Sequence, residues 1–325
     1  MSINRDKPDR WKADMAASVD LYNNWFMRFA PVTFRDTRVR TAKQVTEALK
    51  ATNNLLDITP ELLRAKPSVL PMLRMATCPP IARDRLIGLA GVSKNLVESM
   101  EDGGNPRIPP RMASEQAQIE LEKIGIIVRR LADPDIFVWL NRVAAPTKKE
   151  IERAATIVAD RLCGSASDPI IRNEQERRQL RQTGKWLNAR GYKQTPPKAG
   201  VKFNAMQAGT YSFRLNVPVQ MMDDAKIAKQ VNIPIDVAIM PKDAPAGALP
   251  LMIEAKSAGD FTNTNKRRKE EAVKMQQLRS SHGTRVRFAL FLCGYFGSDY
   301  LGYEAAEGID WVWEHRIDDM AEFGL

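Results

Sequence analysis

A chain of 325 residues, 44% hydrophobic and 27% charged, can bury one large core or two modest ones, and its composition excludes collagen-like, disordered and disulfide-scaffold classes. Its net charge of +10 favours polyanions as partners. Nucleic acid fits better than an anionic membrane, because no basic amphipathic helix of the interfacial kind is evident. The three cysteines, Cys78, Cys163 and Cys293, are far apart and belong to no C-x-x-C pair or Cys/His cluster, which argues against structural zinc and for a reducing compartment. No apolar run is long enough to span a bilayer, and the polar start Met1–Lys7 lacks a signal-peptide core. A soluble intracellular protein is expected.

The first half reads as helix. Ala13–Phe29, Thr41–Leu56 and Ala82–Met100 carry apolar residues at helical spacing, punctuated by Pro31, Pro60, Pro67, Pro71 and Pro79–Pro80. Glu101–Pro106 is a loop signal that continues through Arg111, and helices follow over Ser114–Ala132 and Thr147–Leu162. Gly164–Pro169 reads as a linker, which divides the chain into a helical region over 1–165 and a second region over 166–325. There Asn173–Arg190 is helical and stops at Gly191. Strand-like runs follow at Gly209–Val219, Val231–Met240 and Leu249–Lys256, then a charged helix over Asn265–Ser281 and a β-rich run over Val286–Phe296. The fold class expected is α/β (α+β), with a mixed central sheet behind a mostly helical N-terminal region.

Strand periodicity isolates the chemistry. Ile233, Ile235, Val237 and Ile239 should line one apolar face, with Asp236 pointing the other way beside Ala238. Glu254 and Lys256, two apart on the next strand, share a face at roughly 6.6 Å between Cα atoms. Two carboxylates and an ammonium at the end of apolar strands are costly unless they pair or hold a metal. Two hard oxygen donors with open positions suit Mg²⁺, and a neighbouring lysine can orient a water, which is the minimum equipment for phosphodiester hydrolysis. An isolated D…ExK pattern is common by chance, as a turn-opening aspartate and a solvated strand-end pair. Adjacent strands and a strongly basic following helix weigh for the hydrolytic reading.

The order α-β-β-β-α-β, with Pro234-Ile235-Asp236 and Glu254-Ala255-Lys256 on consecutive strands, resembles the PD-(D/E)xK nuclease fold. Ser18–Phe26, Pro79–Leu86, Glu254–Asp260 and Gly302–Trp311 make the chain similar, more narrowly, to XamI-type type II restriction endonucleases. The resemblance implies cleavage of double-stranded DNA at a short palindrome, such as the six-base GTCGAC, leaving 5′-phosphate and 3′-hydroxyl ends. It also implies a homodimer, a bacterial cytoplasm, and a cognate methyltransferase in the host that is not a stable subunit. Carried over by position, Asp236, Glu254 and the Ala255 carbonyl would be metal ligands and Lys256 the water-positioning base. Many members add a carboxylate from the first core helix. Glu176 shares a helical stripe with Leu180, Thr183 and Leu187 that faces the sheet, whereas Glu174 points away with Arg177 and Arg181. Glu176 is preferred, against the alternative of a first-turn surface glutamate opposing the helix dipole.

Between Asn263 and Arg287 eight cations, among them Lys266, Arg267, Arg268, Lys269 and Lys274, face only Glu270 and Glu271, as expected of a phosphate-tracking segment. A solvated helix face is the plainer reading. Arg268 lies near the stripe of Ala272, Met275 and Leu278. Arg107 and Arg111 are candidate groove readers in what otherwise reads as a proline-rich connector. Leu89–Ser93 between apolar runs suggests either a helix-turn-helix or a scaffold hairpin. Trp311 and Trp313 read as core. Two rivals follow: a repair or recombination nuclease of the same superfamily, and a non-enzymatic helix-turn-helix regulator.

Overall fold

The computed structural model describes residues 2–195, 202–222 and 228–325, with side chains left out of the description at 222, 228, 261–263 and 265–268. The chain forms two compact units, residues 30–171 and residues 1–29 with 172–325. Their boundaries fall inside two long helices, α1 (Pro8–Ala51) and α7 (Lys148–Ala189), close to Pro31 and Pro169. Both prolines were expected to break the chain, and Gly164–Pro169 to form a linker. Instead the helices run through. A proline deprives the carbonyl four residues earlier of its donor. Here those residues are Met27 and Ser165, both exposed, so water can take the freed carbonyls.

The unit of residues 30–171 is helical. Beyond its parts of α1 and α7 it contains α2 (Pro60–Ala65), α3 (Leu70–Met75), α4 (Arg83–Ala90), α5 (Lys94–Met100) and α6 (Ser114–Leu131). Its core joins Leu49, Leu70, Leu73, Leu96, Leu121 and Ile124. A buried ion pair, Arg74 Nε to Glu101 Oε1 at 2.6 Å, closes one end, with Arg74 also donating to the Ile81 carbonyl. α4 ends at Gly91 in the left-handed region (φ 58°), and α5 follows at once. Leu86, Leu96, Val97 and Met100 of this hairpin are fully buried in the unit's own core, as a scaffold requires.

The other unit is built on a mixed six-stranded sheet in the order β1 (Lys193–Gln194), β2 (Thr210–Met222), β3 (Ala228–Met240), β4 (Leu251–Ala258), β5 (Arg287–Gly294), β6 (Asp310–Trp313). β2, β3 and β4 are antiparallel neighbours, while β5 and β6 continue from β4 in parallel. The parallel pairs need crossovers, supplied by α8 (Phe261–His282) and α9 (Ser298–Ala306). Central strands are buried on both faces. Leu251, Ile253, Ala289 and Phe291 pack with Leu180 and Leu187 of α7, whereas Met252, Leu290 and Leu292 pack with Met275 and Leu278 of α8 and Leu301 of α9. Trp311 and Trp313 are fully buried, as expected of core. Cys163 and Cys293 are buried and Cys78 is exposed. Among the described residues no helix is long and apolar enough to cross a membrane.

One expectation about β3 fails informatively. Ile233 and Ile235 join the α8-side core, but Val237 and Ile239 join the α7-side core, so the four do not share a face. The slip falls at Asp236. Phe213 pairs with Val237 and Leu215 with Ile235, yet Arg214 and Asp236 between them form no ladder pair, and Arg214 adopts φ 53°. Such local distortions re-aim a side chain and recur beside active sites.

Asp310 anchors the amino-terminal segment to β6. Its carboxylate accepts the backbone N–H groups of Ile3 (2.6 Å), Asn4 (2.9 Å) and Arg5 (3.2 Å), together with the Ser2 hydroxyl. Removing it would leave buried donors unpaired, each at a cost of about 1–3 kcal/mol. Asp310→Ala is therefore expected to destabilise the protein by about 3 kcal/mol, read as a lower urea midpoint with an unchanged slope.

Candidate functional site

The β3–β4 ladder pairs Ile239 with Leu251, Ala238 with Met252 and Val237 with Ile253, and stops one step short of Asp236 and Glu254. Where the strands part, the Asp236 side chain takes over from the backbone, its Oδ2 accepting the Ala255 N–H at 2.9 Å. Glu254, Lys256 and Asp236 thus meet in a cleft of about 250 Å³, closed on the other side by Asn173, Glu176 and Gln179 of α7. Burial, then the charge of Glu254, raises the Asp236 carboxyl to about 6, against the lowering effect of the Ala255 N–H.

Glu254 is 8% exposed. Its Oε1 accepts two ammonium groups, Lys274 at 2.8 Å and Lys256 at 3.3 Å, while its Oε2 is buried without a hydrogen-bond partner. Lys256 also reaches Glu271 of α8 at 2.8 Å. Burial alone would lower the Lys256 ammonium, but Glu271 and Glu254 outweigh it and raise it. Held this way, the Lys256 ammonium is a charged donor that can orient a water. The Gln179 side chain ties α7 to the sheet by donating to the Lys256 carbonyl (3.2 Å) and the Phe291 carbonyl (3.1 Å).

Among the described residues there is no cluster of three or more His, Cys, Asp or Glu suited to a metal. What the cleft offers is a carboxylate pair. Glu254 has an orphaned buried oxygen, and the Asp236 carboxyl is raised by burial first and by Glu254 second; a small divalent cation between the two carboxylates would meet both conditions.

Of the remaining sequence candidates, Glu176 lines the cleft, half-exposed and paired with Arg214 at 2.7 Å, while Glu174 pairs with Arg181. Lys274 turns inward to Glu254. Lys269 is exposed, and the side chains of Lys266, Arg267 and Arg268 lie outside the described residues. Arg107 donates to the Asn105 carbonyl (3.0 Å) and pairs with Asp102 (3.4 Å), and Arg111 is exposed; both belong to the helical unit.

Sequence reading passed over Gln179, Arg214 and Glu271. For Glu271 a signal existed: it shares the apolar stripe of Met275 and Leu278 on a helix where Lys269, Glu270 and Arg279 are exposed. Behind it stands Glu304 of α9, fully buried and raised to about 8 by burial, then by the charge of Glu271.

This chain is a type II restriction endonuclease, an enzyme that cleaves DNA at specific sequences. Within that class the chain belongs to the XamI restriction endonuclease family, whose sequence profile matches residues 53–313. It is 51% identical over 322 residues to "Type II restriction enzyme SalI" of Streptomyces albus G, an alignment that covers 99% of each chain. No solved structure matches the chain. A non-enzymatic regulator is thereby set aside.

Glu304 gives a pH signature. A carboxyl raised on folding keeps its proton in the native state while the unfolded chain loses it, so native stability falls as pH rises from about 4.5 towards about 8. Glu304→Gln removes that dependence. Its melting temperature should exceed that of the parent at pH 8 by more than at pH 5, and an equal difference at both would refute the assignment.

Proposed function

We propose that this enzyme hydrolyses double-stranded DNA at a short palindrome, such as the six-base GTCGAC, in a Mg²⁺-dependent reaction at the Asp236–Glu254–Lys256 cleft, leaving 5′-phosphate and 3′-hydroxyl ends. The observation that carries it is the bond from the Ala255 N–H to Asp236, which sets two carboxylates and an ammonium around one cleft. The succession of α7, β2, β3, β4, α8 and β5, with the two-residue β1 between α7 and β2, supports a PD-(D/E)xK core, with the helical unit serving recognition or dimerisation.

Asp236, Glu254 and the Ala255 carbonyl would hold the ion. When bound, it would lower the pKa of the attacking water and offset charge at the phosphorus. Lys256, kept charged by its two carboxylates, orients that water and stabilises the negative charge that develops as the phosphorus is attacked. Glu176 adds a third carboxylate from α7 once Arg214 releases it. Lys266, Arg267, Arg268 and Lys269 follow the phosphate backbone, Lys274 supports them from the site side, and Arg107 and Arg111 reach the grooves. A homodimer matches the two-fold symmetry of a palindrome. The setting is a bacterial cytoplasm with a separate methyltransferase.

Plasmid DNA incubated with Mg²⁺ should give discrete fragments whose ends share one sequence on sequencing, and random or structure-dependent cuts would favour a repair-type nuclease. Asp236→Ala, Glu254→Ala and Lys256→Ala should each abolish cleavage with unchanged circular dichroism; near-normal activity in any two removes the site. Replacing Lys266, Arg267 and Lys269 together with alanine should flatten the slope of log affinity against log salt by roughly three. An unchanged slope would take the DNA face away from α8.

A further inference from the structure

The strand pair Glu254/Lys256 and the helix pair Glu271/Lys274 pair crosswise. Glu254 takes Lys274 at 2.8 Å, Lys256 takes Glu271 at 2.8 Å, and Glu254 and Lys256 touch at 3.3 Å. Positions two apart on a strand and three apart on a helix have similar spans, so the two elements present alternating charges to each other. The two carboxylates differ in one respect. Glu254 lines the cleft, whereas Glu271 is 1% exposed and stands behind Lys256.

We infer that Glu271 is a positioning residue, which holds the Lys256 ammonium at the reacting phosphate while Glu254 is engaged with a cation. The inference rests on the role proposed above for Lys256. Glu254 Oε1 already serves two ammonium groups, and a divalent ion on that carboxylate competes with both. Lys256 would then lose its cleft-side partner, and Glu271 is the anion that remains. Burying a carboxylate among Met275 and Leu278 is a poor way to gain stability, since an apolar residue would pack there without the desolvation cost. Its Oε2 has no hydrogen-bond partner, and among the described residues Lys256 is the cation paired with it.

The test compares single-turnover cleavage, and DNA binding in EDTA, for the parent, Glu271→Gln, Glu271→Asp, Lys256→Gln and the double variant Lys256→Gln/Glu271→Gln. Glu271→Gln should slow cleavage by about tenfold or more at saturating DNA and shift the Kd by less than about twofold. Glu271→Asp, which keeps the charge, should recover part of the rate. In the Lys256→Gln background the second substitution should add no further loss, because a residue acting through Lys256 has nothing left to position. Parent-like rates in both Glu271 variants overturn the inference, as does an equal slowing with and without Lys256. Normal cleavage by Lys256→Gln would remove the site assignment and the inference with it. An inactive Lys256→Gln beside a fully active Glu271→Gln overturns the inference alone.

Discussion

The site depends on one hydrogen bond. Between β3 and β4 the backbone ladder ends at Val237 and Ile253, and the next donor along β4, the Ala255 N–H, is taken by the Asp236 side chain. A donor stranded at the fork of two strands is costly when buried. Satisfying it with a carboxylate rather than a carbonyl lets the strands diverge without an orphan and points an acidic group into the gap. Opposite Asp236, Arg214 adopts φ 53°, and the two faces of β3 exchange at this point.

Around that bond the charges are arranged in opposition to the molecule as a whole. The chain carries ten more positive than negative charges, but the interior between β4, α8 and α9 gathers Glu254, Glu271 and Glu304 around Lys256 and Lys274. Three buried acids against two ammonium groups cannot all be ionised without strain. A proton on Glu304 relieves that imbalance, and the negative charge left at the mouth is that of Asp236, beside the unpartnered Oε2 of Glu254. Basic surface and acidic interior have different tasks: the first attracts a polyanion, the second attracts what neutralises it.

Much of this was legible in the sequence, for physical reasons. The succession of α7, β2, β3, β4, α8 and β5 follows from periodicity and turn residues, though not the two-residue β1, and the convergence of Asp236 with Glu254 and Lys256 follows from two strands in succession. Choosing Glu176 over Glu174 needed only helical geometry, which places the first at the cleft and the second on Arg181. What escaped depends on neighbours distant in sequence. Pro31 and Pro169 look like breaks until the exposure of Met27 and Ser165 is known. The inward turn of Lys274 depends on Glu254, twenty positions earlier, and β6 is too short to stand out from its flanks. The slip at Asp236 has no local signature, since arginine is among the residues least suited to φ 53°.

The division of the chain also orders events in time. Residues 30–171 are contiguous and hold their own core, so a growing polypeptide can finish that unit early. Ile3 and Asn4 cannot do the same. Their partner on β6 lies about three hundred positions downstream, and they leave the ribosome long before Asp310 does. The sheet therefore closes late, across a separation of about three hundred residues, and a nascent chain carries a finished helical body well before it carries the Asp236–Glu254–Lys256 cleft.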